Sequence, residues 1–148
     1  MTGPAEPASQ RPLPSAVEPE YEQFFAGLAA RQIVVRRCTS CGTAQWPPRD
    51  ACRQCHGGGF EPAEVPQQGT VHTCATMRRA FHPWFAERLP YGIAVVDVGQ
   101  GIRLMGNVFG PDVERLRIGV PARAVFAAAG QLTVLDWALA GGDRREHR

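Results

Sequence analysis

The sequence predicts a mainly β chain with a short N-terminal helix, a four-cysteine metal module and a five-stranded Greek-key barrel of the OB type. Three observations carry this. Cys38, Cys41, Cys52 and Cys55 form C-x2-C-x10-C-x2-C, two thiolate pairs whose spacing suits one tetrahedral ion. From Gly69 onward apolar residues recur with period two, in five runs separated by turn residues. "GPDVERLRIG" leaves room for one helical turn between the third and fourth runs, where a barrel of this type carries its insertion.

Residues 1–18 carry Pro4, Pro7, Pro12 and Pro14 among small polar residues and read as a disordered leader. This start has neither the basic end nor the apolar stretch of a secretory signal. No run approaches the roughly 20 apolar residues of a membrane span, so a cytoplasmic chain with no membrane partner is expected. A helix is predicted over 19–31. Tyr21, Phe24, Phe25 and Leu28 fall at i, i+3, i+4 and i+7, one face of a 3.6-residue repeat. Pro19 suits the first turn, and Glu20 and Glu22 suit the positive end of the helix dipole. This face either packs on its own domain or docks on another protein. A helix ahead of a tiny metal module has little core to cover, which makes these four residues candidates for partner docking.

Residues 32–66 form the metal ribbon, entered by a strand over 32–38. The barrel spans 67–139, with strands over 69–80, 91–98, 102–109, 120–127 and 131–139. Asp97–Gly101 and Ala129–Gln131 supply turn chemistry between neighbours. A disordered tail is expected over 140–148.

Taken alone, Cys52-Arg-Gln-Cys55-His56 has the spacing of covalent haem attachment. The second cysteine pair and the lack of an export signal favour a metal knuckle instead. Gly42 directly follows Cys41, where a knuckle often needs a left-handed residue, and Gly57 lies two places after Cys55. His56 is expected beside the ligands rather than among them. One zinc per chain is the expected cofactor. Four thiolates can also hold a single iron, so a rubredoxin-like electron carrier stays open. A module of about 20 residues cannot fold on apolar burial alone, so the metal would drive its folding.

The formal net charge is +2, and all sixteen basic residues are arginines. The chain therefore has no Schiff-base lysine, and any side-chain cation that meets a phosphate must be a planar guanidinium. The three serines, Ser9, Ser15 and Ser40, offer no hydrolase triad. His72 and Cys74 share a strand face but lie roughly 7 Å apart, too far for a nucleophile–base hydrogen bond. No phosphate loop is present, and no catalytic residue is expected in this chain. The linker "MRRAFHPWFAERLPYG" (77–92) gathers Arg78, Arg79, Phe81, His82, Trp84 and Phe85. Such a segment can hold phosphates, make a protein interface or plug the barrel. An OB module for single-stranded nucleic acid is the alternative from another class. It wants a basic, aromatic-lined groove, whereas 91–98 and 102–109 offer a single arginine.

The segments "FFAGLAARQIVVRRCTSCGTAQWPPRDACRQC", "PYGIAVVDV", "GIRLMGNVFG" and "LRIGVPARAVF" resemble the zinc-ribbon/OB-fold proteins encoded beside thiolases, the acyl-CoA-associated OB family. The match runs from about Tyr21 to Trp137. The resemblance implies a helical arm, a rubredoxin-like zinc ribbon and an OB barrel. It also implies a non-catalytic subunit that binds a thiolase-fold enzyme and shapes its acyl-CoA pocket, supporting thiolysis, acyl transfer or retro-aldol cleavage. Carried over residue by residue, it makes the four cysteines metal ligands. Arg78, Arg79 and His82 lie where such proteins often carry a basic or aromatic loop, and with Phe81 of the same linker they are the candidates for contact with acyl-CoA or the partner.

Overall fold

The computed structural model describes residues 10–141. A 3-10 turn at Pro19–Tyr21 leads into α1 (Glu22–Ala29). The helix stops where Arg31 turns left-handed (φ 60°). The N–H of Arg31 then reaches the Leu28 carbonyl, and that of Gln32 reaches the Gly27 carbonyl, the paired bonds of a Schellman end. Next comes a three-stranded antiparallel sheet of order β2-β1-β3, formed by β1 (Ile33–Cys38), β2 (Ala44–Gln45) and β3 (Phe60–Val65). The sequence pattern had not marked β3 as a strand, because "FEPAEV" carries Pro62 and two glutamates. It is an edge strand, where a proline costs no ladder bond facing a second neighbour.

The barrel follows as β4 (Gln68–Met77), β5 (Tyr91–Asp97), β6 (Arg103–Val108), β7 (Pro121–Ala129) and β8 (Leu132–Leu139). It closes in the order β4-β5-β6-β8-β7, with β7 returning to β4 and β6 running parallel to β8. A 3-10 segment, Gly110–Arg115, joins β6 to β7. This is the expected OB barrel with its insertion before the fourth strand. The first barrel strand ends at Met77 rather than residue 80. α2 (Pro83–Ala86) lies inside the linker. At Gly69 the strands approach so closely that an added Cβ would sit 2.1 Å from the Asp97 carbonyl oxygen.

Ribbon and barrel share one apolar core, which runs from Phe24, Leu28, Ile33 and Val35 through Val96, Leu104 and Trp137 to Leu139. α1 lies against both β1 and β8. The expectation of a docking face on α1 is corrected here. Leu28 is fully buried, Phe24 is buried on the Trp46 ring (centroids 4.2 Å apart), and Tyr21 meets the same ring edge-on. Phe25 is half-buried against the same core. The helix has a core to cover after all, because ribbon and barrel supply it together.

The leader is corrected as well, in its described part. Arg11 is anchored to Asp136 of β8 by a two-pronged ion pair, and Leu13 lies beside Gly130. Residues 1–9 and 142–148 lie outside the described residues. No described helix is long and apolar enough to cross a membrane.

Candidate metal centre

The four cysteines reach one point from two knuckles of matching geometry. In the first, the Cys38 N–H bonds the Thr43 carbonyl and the Gly42 N–H bonds the Cys38 carbonyl, both at 2.9 Å. In the second, the Cys52 N–H bonds the Gly57 carbonyl at 2.8 Å and the His56 N–H bonds the Cys52 carbonyl at 2.9 Å. The left-handed residue follows the second cysteine of each pair: Gly42 (φ 75°) and His56 (φ 63°). The second knuckle therefore places its unusual backbone at His56, not at Gly57. Gly57 is needed for closeness, since a Cβ there would lie 3.3 Å from Cys55 Sγ and 3.2 Å from Ser40 Oγ.

All four sulfurs lie within 4.8 Å of one another, with Cys38 to Cys55 at 3.5 Å and Cys41 to Cys52 at 3.6 Å. Four thiolates at about 2.3 Å from a zinc ion would stand about 3.8 Å apart, so the cluster fits such an ion. Cys38 and Cys52 are buried, while Cys41 and Cys55 face solvent. The side chain and backbone N–H of Thr43 hold the Cys41 thiol down at about 6. The backbone at Cys41, opposed by burial and aided by Ser40, holds Cys38 below the usual thiol value. The Gly57 N–H favours the Cys55 thiolate, but proton sharing with Cys38 and Cys41 outweighs it and pushes Cys55 up to about 12. Crowded thiols cannot all ionise without a countercharge, and a divalent cation among them would supply it.

The ribbon also braces the barrel. Arg37 donates to Gln100 Oε1 at 3.2 Å, and the Arg53 guanidinium lies against Gly101, so both touch the β5–β6 turn. Buried Gln45 accepts the Arg53 N–H at 3.1 Å and ties β2 to the second knuckle.

The linker divides into two parts. Trp84 and Phe85 turn inward, and Phe85 stacks on Tyr91 at 4.5 Å while Trp84 meets Phe109 edge-on at 5.7 Å. These rings cover the end of the barrel where β5 begins and β6 ends. Arg78, Arg79 and Phe81 stay outside; Phe81 is 77% exposed, and the Arg79 guanidinium lies 6.0 Å from its ring centre. His82 belongs to neither group. Its Nδ1 accepts the Trp84 N–H at 3.1 Å and caps α2, so that nitrogen is engaged in holding the turn. His72 is exposed and Cys74 half-buried, on a strand whose register shifts between Val71 and Thr73.

The sequence reading passed over Asp136 and Asn107. Asp136 is buried and bonded to Arg11, and Asn107 Oδ1 accepts from the same guanidinium at 3.0 Å. The available signal was a single carboxylate within the apolar run "LTVLDWAL". Nothing in the proline-rich start marked Arg11 as its partner.

Two family models match in succession: the ChsH2 rubredoxin-like zinc ribbon domain over residues 25–61 and the ChsH2 C-terminal OB-fold domain over 63–127. Among curated proteins, the chain is 29% identical over 131 residues to the "Probable enoyl-CoA hydratase alpha subunit" of Thermomonospora curvata. That alignment takes in 88% of this chain but only 37% of the relative's length. It is 32% identical over 91 residues to a "DUF35 domain-containing scaffold protein" of Methanocaldococcus jannaschii, covering 61% of this chain and 64% of that one. Among solved structures it resembles a chain of the "Ltp2-ChsH2(DUF35) aldolase". The TM-score is 0.76 at 27% identity, over 88% of this chain and 99% of that one. Knuckles, barrel and matches agree, and the chain belongs to the ChsH2 family of zinc-ribbon and OB-fold (DUF35) proteins.

Proposed function

We propose that this chain is a non-catalytic subunit of an acyl-CoA-processing complex, in which it binds a thiolase-fold enzyme and helps to form its acyl-CoA pocket. The observation that carries the reading is the likeness to a whole chain of a solved ChsH2 aldolase assembly, at a TM-score of 0.76 over 99% of that chain. The names of relatives as a hydratase subunit and a scaffold protein agree with a subunit role, and thiolysis, acyl transfer or retro-aldol cleavage would be the partner's chemistry. One zinc per chain, held by Cys38, Cys41, Cys52 and Cys55, would act structurally by fixing the ribbon against the β5–β6 turn. The exposed stretch Arg78, Arg79 and Phe81 would meet the acyl-CoA or the rim of the partner's pocket, with His82 setting its angle through the α2 cap. Coenzyme A carries several phosphate groups, and adjacent guanidiniums outside the strand can turn toward one of them.

The test is reconstitution. Affinity capture of the tagged chain from its host should bring down a thiolase-fold enzyme, and turnover of acyl-CoA should require both proteins. Robust turnover by the isolated chain, or repeated capture without any thiolase-fold protein, would overturn the reading.

A further inference from the structure

We propose that Asp136, Asn107, Trp84 and Phe109 form a guanidinium-recognition pocket at the end of the barrel, which the chain fills in cis with its own Arg11. The geometry is that of a selective box. The Arg11 Nη1 and Nη2 atoms lie 2.6 and 2.7 Å from the two Asp136 carboxylate oxygens, and Nη2 also reaches Asn107 Oδ1 at 3.0 Å. Three acceptors thus meet one planar fork, the arrangement that separates guanidinium from ammonium. Two aromatic walls complete it: the guanidinium carbon lies 5.1 Å from the centre of the Trp84 ring and 5.6 Å from that of Phe109, within cation–π range.

The floor is built independently of the arginine. Asn107 donates through Nδ2 to the Gly92 carbonyl and through its N–H to Asp136 Oδ1, so both side chains are oriented by the barrel. The arm that delivers Arg11 is held much less firmly. Among the described residues no backbone–backbone hydrogen bond involves residues 10–17, and Leu13 lies beside Gly130. A pocket built into the barrel and a ligand carried on a strand-free arm are separable parts. The inference does not depend on the proposed acyl-CoA role.

The test uses full-length Arg11→Ala and a synthetic peptide of sequence Gln10–Ala16. The variant should melt about 10 °C below the parent, since its carboxylate is left buried and unpaired. Millimolar peptide should recover part of that loss and shift the Trp84 indole N–H resonance, while the peptide with citrulline in place of Arg11 should do neither. If alanine prevents folding, Arg11→Lys keeps a charge without the fork, and the same titration is read on it. Asp136→Asn added to the variant should abolish the shift. A melting temperature independent of protein concentration supports occupation in cis; a rise with concentration would assign the arginine to an exchanged arm of a second copy and overturn the cis assignment. No shift with the arginine peptide, or an equal shift with the citrulline peptide, overturns recognition of the guanidinium.

Discussion

Leu28→Ala tests the assignment of α1 to the core. Leu28 is fully buried where the helix lies against β1 and β8, so truncation removes several buried carbons and leaves a cavity between ribbon and barrel. Such substitutions cost about 2–5 kcal/mol. The site is bounded by strands on one side, which collapse poorly, while the exposed far side of the helix can move inward. A middle value of about 3 kcal/mol is therefore expected. For a domain of this size that corresponds to a fall of about 10 °C in Tm. The assay is thermal denaturation of the isolated, metal-loaded chain, with elemental analysis of the folded variant to show that metal content is unchanged. Gln23→Ala, on the exposed face of the same helix, should move Tm by less than about 2 °C. If Leu28→Ala melts with the parent yet fails to bind a partner, α1 is a docking element and the core assignment is wrong.

Elemental analysis should find one zinc per chain, lost when Cys52→Ser and Cys55→Ser are combined; iron with a red visible spectrum would refute zinc. Gly69→Ala drives a Cβ toward the Asp97 carbonyl oxygen, an atom fixed in the β4–β5 ladder, and should destabilise by about 3 kcal/mol in denaturant titration. Unfolding of the variant at the parent midpoint would contradict that close approach. Arg78→Ala with Arg79→Ala should raise the reconstituted complex's KM for acyl-CoA by roughly tenfold if the pair is desolvated on binding. A change below about twofold in both KM and assembly would remove these arginines from the pocket.

The metal site was legible in the sequence because its information is local. Paired cysteines two residues apart bring sulfurs together through a single turn, whatever surrounds them. The barrel strands were legible for a similar reason: alternation such as Tyr91–Asp97 reports one covered face without saying what covers it. β3 escaped because Pro62 and its glutamates obey the rules of an edge, and only its place in the sheet makes it one.

Tertiary structure decided the rest, where the deciding partner lies far along the chain. The apolar stripe of α1 was visible, but β8 closes over it from more than a hundred residues away. The linker's aromatics were visible too; Phe109 and Tyr91 determine that Trp84 and Phe85 turn inward while Phe81 does not. Arg11 and Asp136 are separated by 125 positions. Period and spacing constrain a residue's neighbours over a turn or a strand, whereas the satisfaction of a buried charge depends on whichever group the closed barrel brings to it.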